Sequence, residues 1–254
     1  MTMLLSTRLE SIIKSIYRRH GRRKYGLCAC EGERCCRELL TNRPELIEFA
    51  LCSEDYQGTC APPALIRVPP KKFRELTNTV SSQGILLVAK VPNLKNSARQ
   101  APPPDPFLVI LDKISDPGNL GTILRTSLGV GLRELWVTAG SADPFNDKVI
   151  RAAMGAQFRL ELREFDSLAE AVGELRRYGY QRIFRTDPHQ GRNCFREKEL
   201  FTRSGLIFGS EAQGAAAIPD AIPLHIPMPG NIESLNVAQA LTVILFEFVK
   251  TTCK

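Results

Sequence analysis

The chain has 254 residues, 43% hydrophobic and 24% charged, a globular composition with enough apolar material for one large core or two ordinary ones without metal or disulfide staples. No run approaches the ~18–20 apolar residues of a membrane-spanning helix, so a membrane-integral protein is not expected. Lys and Arg outnumber Asp and Glu 34 to 27, for a formal net charge of +7, which points to a polyanionic partner, most simply nucleic acid.

Leu5, Leu9, Ile12, Ile13 and Ile16 recur at helical spacing and predict an amphipathic helix over roughly residues 5–19. The same stretch is basic and poor in acids, as a mitochondrial transit peptide would be; the helix is the preferred reading. Within "KSIYRRHGRRK" (residues 14–24), Arg18, Arg19, Arg22, Arg23 and Lys24 are candidate contacts to a phosphate backbone, the alternative being a solvated face. "YGLCACEGERCCRELL" predicts a strand near 27–30 and a helix near 32–41. Its C-x-C-x4-C-C pattern lacks paired C-x2-C spacing and a nearby His, so no metal is expected, and the thiols read as small buried hydrophobes. Eight cysteines with no disulfide pattern fit a reducing compartment. The cytoplasm is therefore expected, with a mitochondrial location as the alternative. Strands are expected in "IEFALCS", "ALIRV" and "GILLVAKV".

"VPNLKNSARQAPPPDP" (residues 91–106) holds five prolines and no apolar period, and reads as a linker. The expected division is a small α/β domain over 1–92, a Pro-rich linker over 93–106 and a second domain over 107–254. Past the linker, strand and helix patterns alternate. "PFLVILDKI", "ELWVT", "FRLEL", "YQRIFRT", "GLIFG" and "AIPLHIP" read as strands. "NLGTILRTSLGVG", "NDKVIRAAMGA", "SLAEAVGELRRYG" and the segment from Val237 onward read as helices. This is an α/β fold with a mostly parallel, doubly covered sheet.

Ligands of such sheets bind beyond the carboxyl ends of strands. Three clusters lie there: "SDPGNLGTILRT", "GSEAQG" and "PMPGNIESLN". The G-x-G-x-x-G, Walker A and G-x-S-x-G patterns are absent. His20, His189 and His225 read as surface or core residues, leaving no base for a Ser-His-Asp triad. Glycines, asparagines, a serine, a glutamate and an arginine remain, a set suited to a cofactor that brings its own reactivity. Gly230 would let the chain turn and approach a ligand closely, while Ser234 and Asn236 would serve the orphan amides of the last helix and point polar groups into a pocket.

"DPGNLGTILRTSLGVG", "IFGSEAQG" and "IPMPGNIESLNVAQALTVILFEF" resemble the three ordered motifs of the SpoU/TrmH family of RNA ribose 2'-O-methyltransferases, within the SPOUT superfamily. "RRKYGLCACEGERCCRELL" and "SQGILLVAKVP" resemble the N-terminal substrate-binding domain of many members, and "DPFNDKVIRAAMGAQFRLEL" the segment between the first two motifs. The second motif departs from many relatives in having Ala212 where they have Gly.

The resemblance implies a C-terminal trefoil-knot domain behind a small RNA-binding domain, S-adenosylmethionine as cofactor and a homodimer formed through the C-terminal domain. It also implies 2'-O-methylation of a ribose in structured RNA, with ribosomal RNA favoured over transfer RNA and a catalytically silent RNA-binding protein as the other alternative. Gly209, Ile226, Met228 and Leu235 would hold the cofactor, with Ser234 and Asn236. Asn119, Arg125, Glu211, Ser234 and Asn236 match the family's polar catalytic positions.

Overall fold

The computed structural model describes residues 4–62, 64–95, 101–210, 214–230 and 233–252. Contacts divide the chain into two compact units, residues 1–92 with 143–159, and residues 93–142 with 160–254. The segment 143–159, expected within the second domain, thus packs with the first unit.

The first unit opens with α1 (Thr7–Ile16), whose N-cap Ser6 accepts the Leu9 N–H and whose apolar stripe buries Ile12, Ile13 and Ile16. The helix expected over 5–19 is α1, which stops at Ile16, and a second helix follows that was not expected. Arg18 is extended (φ −97°, ψ 144°), and α2 (Arg19–Tyr25) starts after it. The two helices meet tightly, since a Cβ at Gly21 would lie 2.0 Å from the Ser15 carbonyl oxygen. There follow β1 (Leu27–Glu31), α3 (Glu33–Asn42), β2 (Ile47–Ser53), β3 (Leu65–Val68), α4 (Pro70–Leu76) and β4 (Ile85–Lys90). The strands form a mixed sheet in the order β1-β4-β2-β3, with β4 antiparallel to both neighbours. Its core joins Ile13 and Ile16 to Phe49, Leu51, Phe73 and Leu86. Cys28, Cys30, Cys35 and Cys36 are buried in this unit, and the Cys36 thiol donates to the Cys30 carbonyl at 3.1 Å. Burial pushes the Cys28 thiol up to about 12, so it is a core hydrophobe rather than a nucleophile.

Arg22 is not a surface cation. Its side chain is 4% exposed, donates from Nε to Asp143 at 2.7 Å, and donates from a terminal nitrogen to the carbonyls of Ile16 and Tyr17 at 3.1 Å. This removes it from the candidate phosphate contacts, because every bond it makes lies within the fold. Arg18, Arg19, Arg23 and Lys24 stay exposed. Arg22→Met is expected to lower stability by about 2–4 kcal/mol by stranding Asp143 and two carbonyls. Arg23→Ala is expected to stay within about 0.5 kcal/mol; urea denaturation of the two variants checks the contrast.

The second half supplies β5 (Phe107–Asp112), α5 (Pro117–Gly129), β6 (Glu134–Thr138), α6 (Asp147–Ala152), β7 (Glu161–Phe165), α7 (Leu168–Arg177), β8 (Arg182–Thr186), β9 (Arg192–Asn193), β10 (Ser204–Gly209), β11 (Ile222–His225) and α8 (Val237–Thr252). Of these, α6 lies in the segment 143–159 that belongs to the first unit. The remaining strands build a seven-stranded sheet in the order β7-β6-β5-β10-β8-β11-β9, and its pairings are parallel. The expected strand "FRLEL" is shifted, since Ala156–Phe158 closes a 3-10 turn before β7. The end of the Pro-rich stretch is anchored: Tyr180 donates its hydroxyl to Asp105 O at 2.9 Å, and buried Asp105 accepts the Arg133 N–H at 2.8 Å.

Two features of this sheet position the site. The chain runs one way from β5 through β6 to β7, while β10 and β8 lie on the other side of β5, so the strand order reverses between β5 and β10. In addition, β11 is inserted between β8 and β9, which are neighbours in sequence, so the later strand runs beneath the connection 187–191. The fit is close enough that a Cβ at Gly191 (φ +115°) would sit 2.2 Å from the Pro223 carbonyl oxygen.

Candidate active site

A cavity of about 450 Å³ opens at the carboxyl ends of β8, β10 and β11. One wall is apolar, with Phe208, Leu224, Ile226, Met228, Leu235 and Val237; Thr186, Asp187, Ser210 and Ser234 supply polar groups. Five predicted residues, Gly209, Ile226, Met228, Ser234 and Leu235, line it together. Gly209 ends β10, and the chain turns back over it at once: Gly214 donates to the Ser210 carbonyl at 2.8 Å, and a Cβ at Gly209 would lie 1.9 Å from the Ala215 nitrogen. Glu211 and Ala212 lie outside the described residues.

Two helices begin beside one another here. Asp116 caps α5 by accepting the Asn119 N–H at 2.7 Å. Asn236 caps α8 by accepting the Ala238 N–H at 2.9 Å, and donates its side-chain amide to Asn119 Oδ1 at 3.0 Å. The first and third motifs are thereby joined through their asparagines, and two positive helix ends are brought together. Neither asparagine is among the cavity-lining residues. Asn236→Asp keeps the cap acceptor but loses the donor to Asn119, whereas Asn236→Ala loses both. The Ala variant is expected to cost about 1–2 kcal/mol and the Asp variant clearly less, as read from their thermal melting curves.

Arg125 lies on α5, exposed, and forms no ion pair or hydrogen bond among the described residues. The alternative in which it merely pairs with a surface carboxylate finds no partner there. It is not in the cavity wall either; among the described residues its guanidinium is an unpaired cation on α5.

The loop after β8 was missed at the sequence level. Arg185, Thr186, Asp187, Pro188, His189 and Gln190 all line the cavity, including a histidine read as surface or core filling. Asp187 builds this loop: its carboxylate accepts the amides of His189 and Gln190 at 3.0 and 3.1 Å and the Arg185 guanidinium at 3.3 Å. Burial works against its charge, yet these bonds hold its carboxyl below the usual aspartate range. The available signal was "TDPHQG" at a fourth strand end, with an Asp-Pro turn after an apolar strand.

With this geometry in place, known proteins give a consistent comparison. The model of the SpoU rRNA methylase family matches residues 106–246. The uncharacterized tRNA/rRNA methyltransferase slr1673 of Synechocystis is 34% identical over 177 residues, 68% of this chain and 62% of that protein. The 23S rRNA (guanosine(2553)-2'-O)-methyltransferase RlmP of Bacillus subtilis is 28% identical over 242 residues, 92% of each chain. The crystal structure of the SpoU methyltransferase AviRb from Streptomyces viridochromogenes in complex with AdoMet superposes with a TM-score of 0.83 at 22% identity, over 98% of this chain and 99% of that one; at this identity the likeness is one of fold. From the match across the whole motif-bearing half, the chain belongs to the SpoU rRNA methylase family.

Proposed function

We propose that the protein transfers a methyl group from S-adenosylmethionine to the 2'-oxygen of a ribose in ribosomal RNA. The observation that carries this reading is the cavity at the carboxyl ends of β8, β10 and β11, walled jointly by residues of the second and third motifs. The donor set suits the cofactor: apolar side chains suit a purine and a methionine chain, hydroxyls and a carboxylate suit a ribose and an ammonium group, and glycines leave backbone amides accessible. Gly209, Ile226, Met228, Ser234 and Leu235 would hold it, with Asp187 and Thr186 from the loop after β8. When bound, the cofactor supplies an activated methyl group on a sulfonium. The chain must exclude water, align the ribose oxygen and promote loss of its proton.

Arg125 is assigned to the ribose side. A guanidinium stays protonated at any relevant pH and is no simple base; it polarises the 2'-hydroxyl and binds the adjacent phosphate. Asn119 and Asn236 fix the two helix ends, and Ser234 and Glu211 orient the guanidinium or the RNA. The exposed Arg18, Arg19, Arg23 and Lys24 would grip the RNA backbone, giving salt-dependent affinity with little sequence information. The relative RlmP, named for a 23S rRNA ribose and matched over 92% of both chains, favours ribosomal RNA.

The insertion of β11 between β8 and β9 supports the knotted topology. A homodimer is supported by α8, which buries Leu241, Ile244 and Leu245 while Phe246 stays 55% exposed. Among the described residues no helix is long and apolar enough to cross a membrane; a cytoplasmic location is part of this reading.

The test is transfer of tritiated methyl from S-adenosylmethionine onto separated ribosomal and transfer RNA. Label in an alkali-resistant dinucleotide of the ribosomal fraction is expected. Label confined to transfer RNA would overturn the substrate, and cofactor binding without label in either would favour a silent binding protein.

A further inference from the structure

Asp112 ends β5 outside the cavity wall, yet its carboxylate is 1% exposed. One oxygen accepts the Thr138 hydroxyl at 2.8 Å, and the other accepts the backbone N–H of Ala216 at 3.0 Å. Thr138 is itself fixed, because its oxygen accepts the Lys113 N–H at 3.1 Å. No cation pairs with Asp112 among the described residues. A carboxylate kept buried on two hydrogen bonds is costly, and an apolar residue of similar size would fill the same space without that cost.

What it holds explains why it stays. In the sheet register Asp112 faces Gly209, the last residue of β10. The chain then leaves the sheet, closes the Ser210–Gly214 bridge with Gly214 at φ +66°, and comes back over Gly209 through Ala215 to Ala216. Gly209, Ser210 and Gly214 wall the cavity. Ala216, the first residue beyond this return, is tied by its own amide to Asp112, so the segment Gly214–Ala216 is held against the end of β10 by the neighbouring strand.

We propose that Asp112 is a positioning residue that clamps Gly214–Ala216 against Gly209, so that the backbone of Gly209, Ser210 and Gly214 walls the cofactor cavity. The proposal rests on the reading of that cavity as the S-adenosylmethionine site. The test compares Asp112→Leu, which removes the acceptor, with Asp112→Asn, which keeps one for the Ala216 amide. Two readouts are used: amide exchange of residues 205–216 in the cofactor-free protein, and the Kd of S-adenosylhomocysteine by calorimetry. The Leu variant is expected to exchange faster at 214–216 and to bind about tenfold or more weakly; the Asn variant should stay within about threefold on both. KM for S-adenosylmethionine should rise in the Leu variant while KM for RNA holds.

A folded Leu variant with wild-type exchange and affinity would overturn the proposal. So would an Asn variant as damaged as Leu, since the charge and not the acceptor would then matter. Should Leu prevent folding, Asp112→Ala takes its place under the same criteria. If the wild type itself fails to bind S-adenosylhomocysteine, the cofactor reading fails, and the exchange measurement still decides the clamp.

Discussion

Arg125→Ala is expected to lower methyl transfer to ribosomal RNA by at least about a hundredfold, the usual range for loss of a group that stabilises charge or moves a proton in the transition state. Affinity for S-adenosylhomocysteine should change by less than about twofold, because Arg125 is not in the cavity wall and has no described partner whose loss would disturb the fold. Arg125→Lys separates two roles. If only positive charge near the ribose matters, Lys restores most of the rate; if a planar fork must hold hydroxyl and phosphate together, Lys stays close to Ala. Single-turnover rates with saturating cofactor are the measurement. An unchanged rate in the Ala variant would remove Arg125 from the mechanism and leave the site without an activator among the described residues.

Much of the methyltransferase half was legible because parallel strands buried on both faces read as continuous apolar runs, and the polar clusters between them fall at strand ends. "FLVILD", "ELWVT" and "SGLIFG" form strands at the expected places. Failures have identifiable causes. The short α4 begins at Pro70, and proline there reads as a breaker although it is well tolerated in the first turn of a helix. The two-residue β9 carries no pattern to detect. Arg22 belongs to a basic run in sequence, and only packing against Asp143, 121 positions away, distinguishes it from its exposed neighbours. Asp112 looks like any polar residue ending a strand, since its value lies in an amide 104 positions downstream. Contacts that close a site from distant segments have no local signature.

Gly209 and Gly230, from the second and third motifs, should respond in opposite ways to the same substitution. Gly230, which on sequence grounds would have let the chain approach a ligand, has no atom of the described residues within 4 Å of a built Cβ and no positive φ, so Gly230→Ala should keep S-adenosylhomocysteine affinity within about twofold. At Gly209 the added methyl would lie 1.9 Å from the Ala215 nitrogen and 2.1 Å from the Gly214 carbonyl carbon. Both are backbone atoms of the returning loop, so no side-chain rotation relieves the clash. Either the loop lifts off β10, breaking the Asp112–Ala216 bond and opening the cavity wall, or β10 shifts against β5. The first is cheaper, because β10 is hydrogen-bonded on both sides by β5 and β8, whereas Ala216 is held to β5 by a hydrogen bond from its amide to Asp112. Gly209→Ala is therefore expected to weaken S-adenosylhomocysteine binding by about thirtyfold or more while costing only about 1–3 kcal/mol of stability. A calorimetric titration beside a thermal melt separates the outcomes: loss of the melting transition would place the strain in the sheet, and wild-type affinity would show that the loop does not shape the cavity.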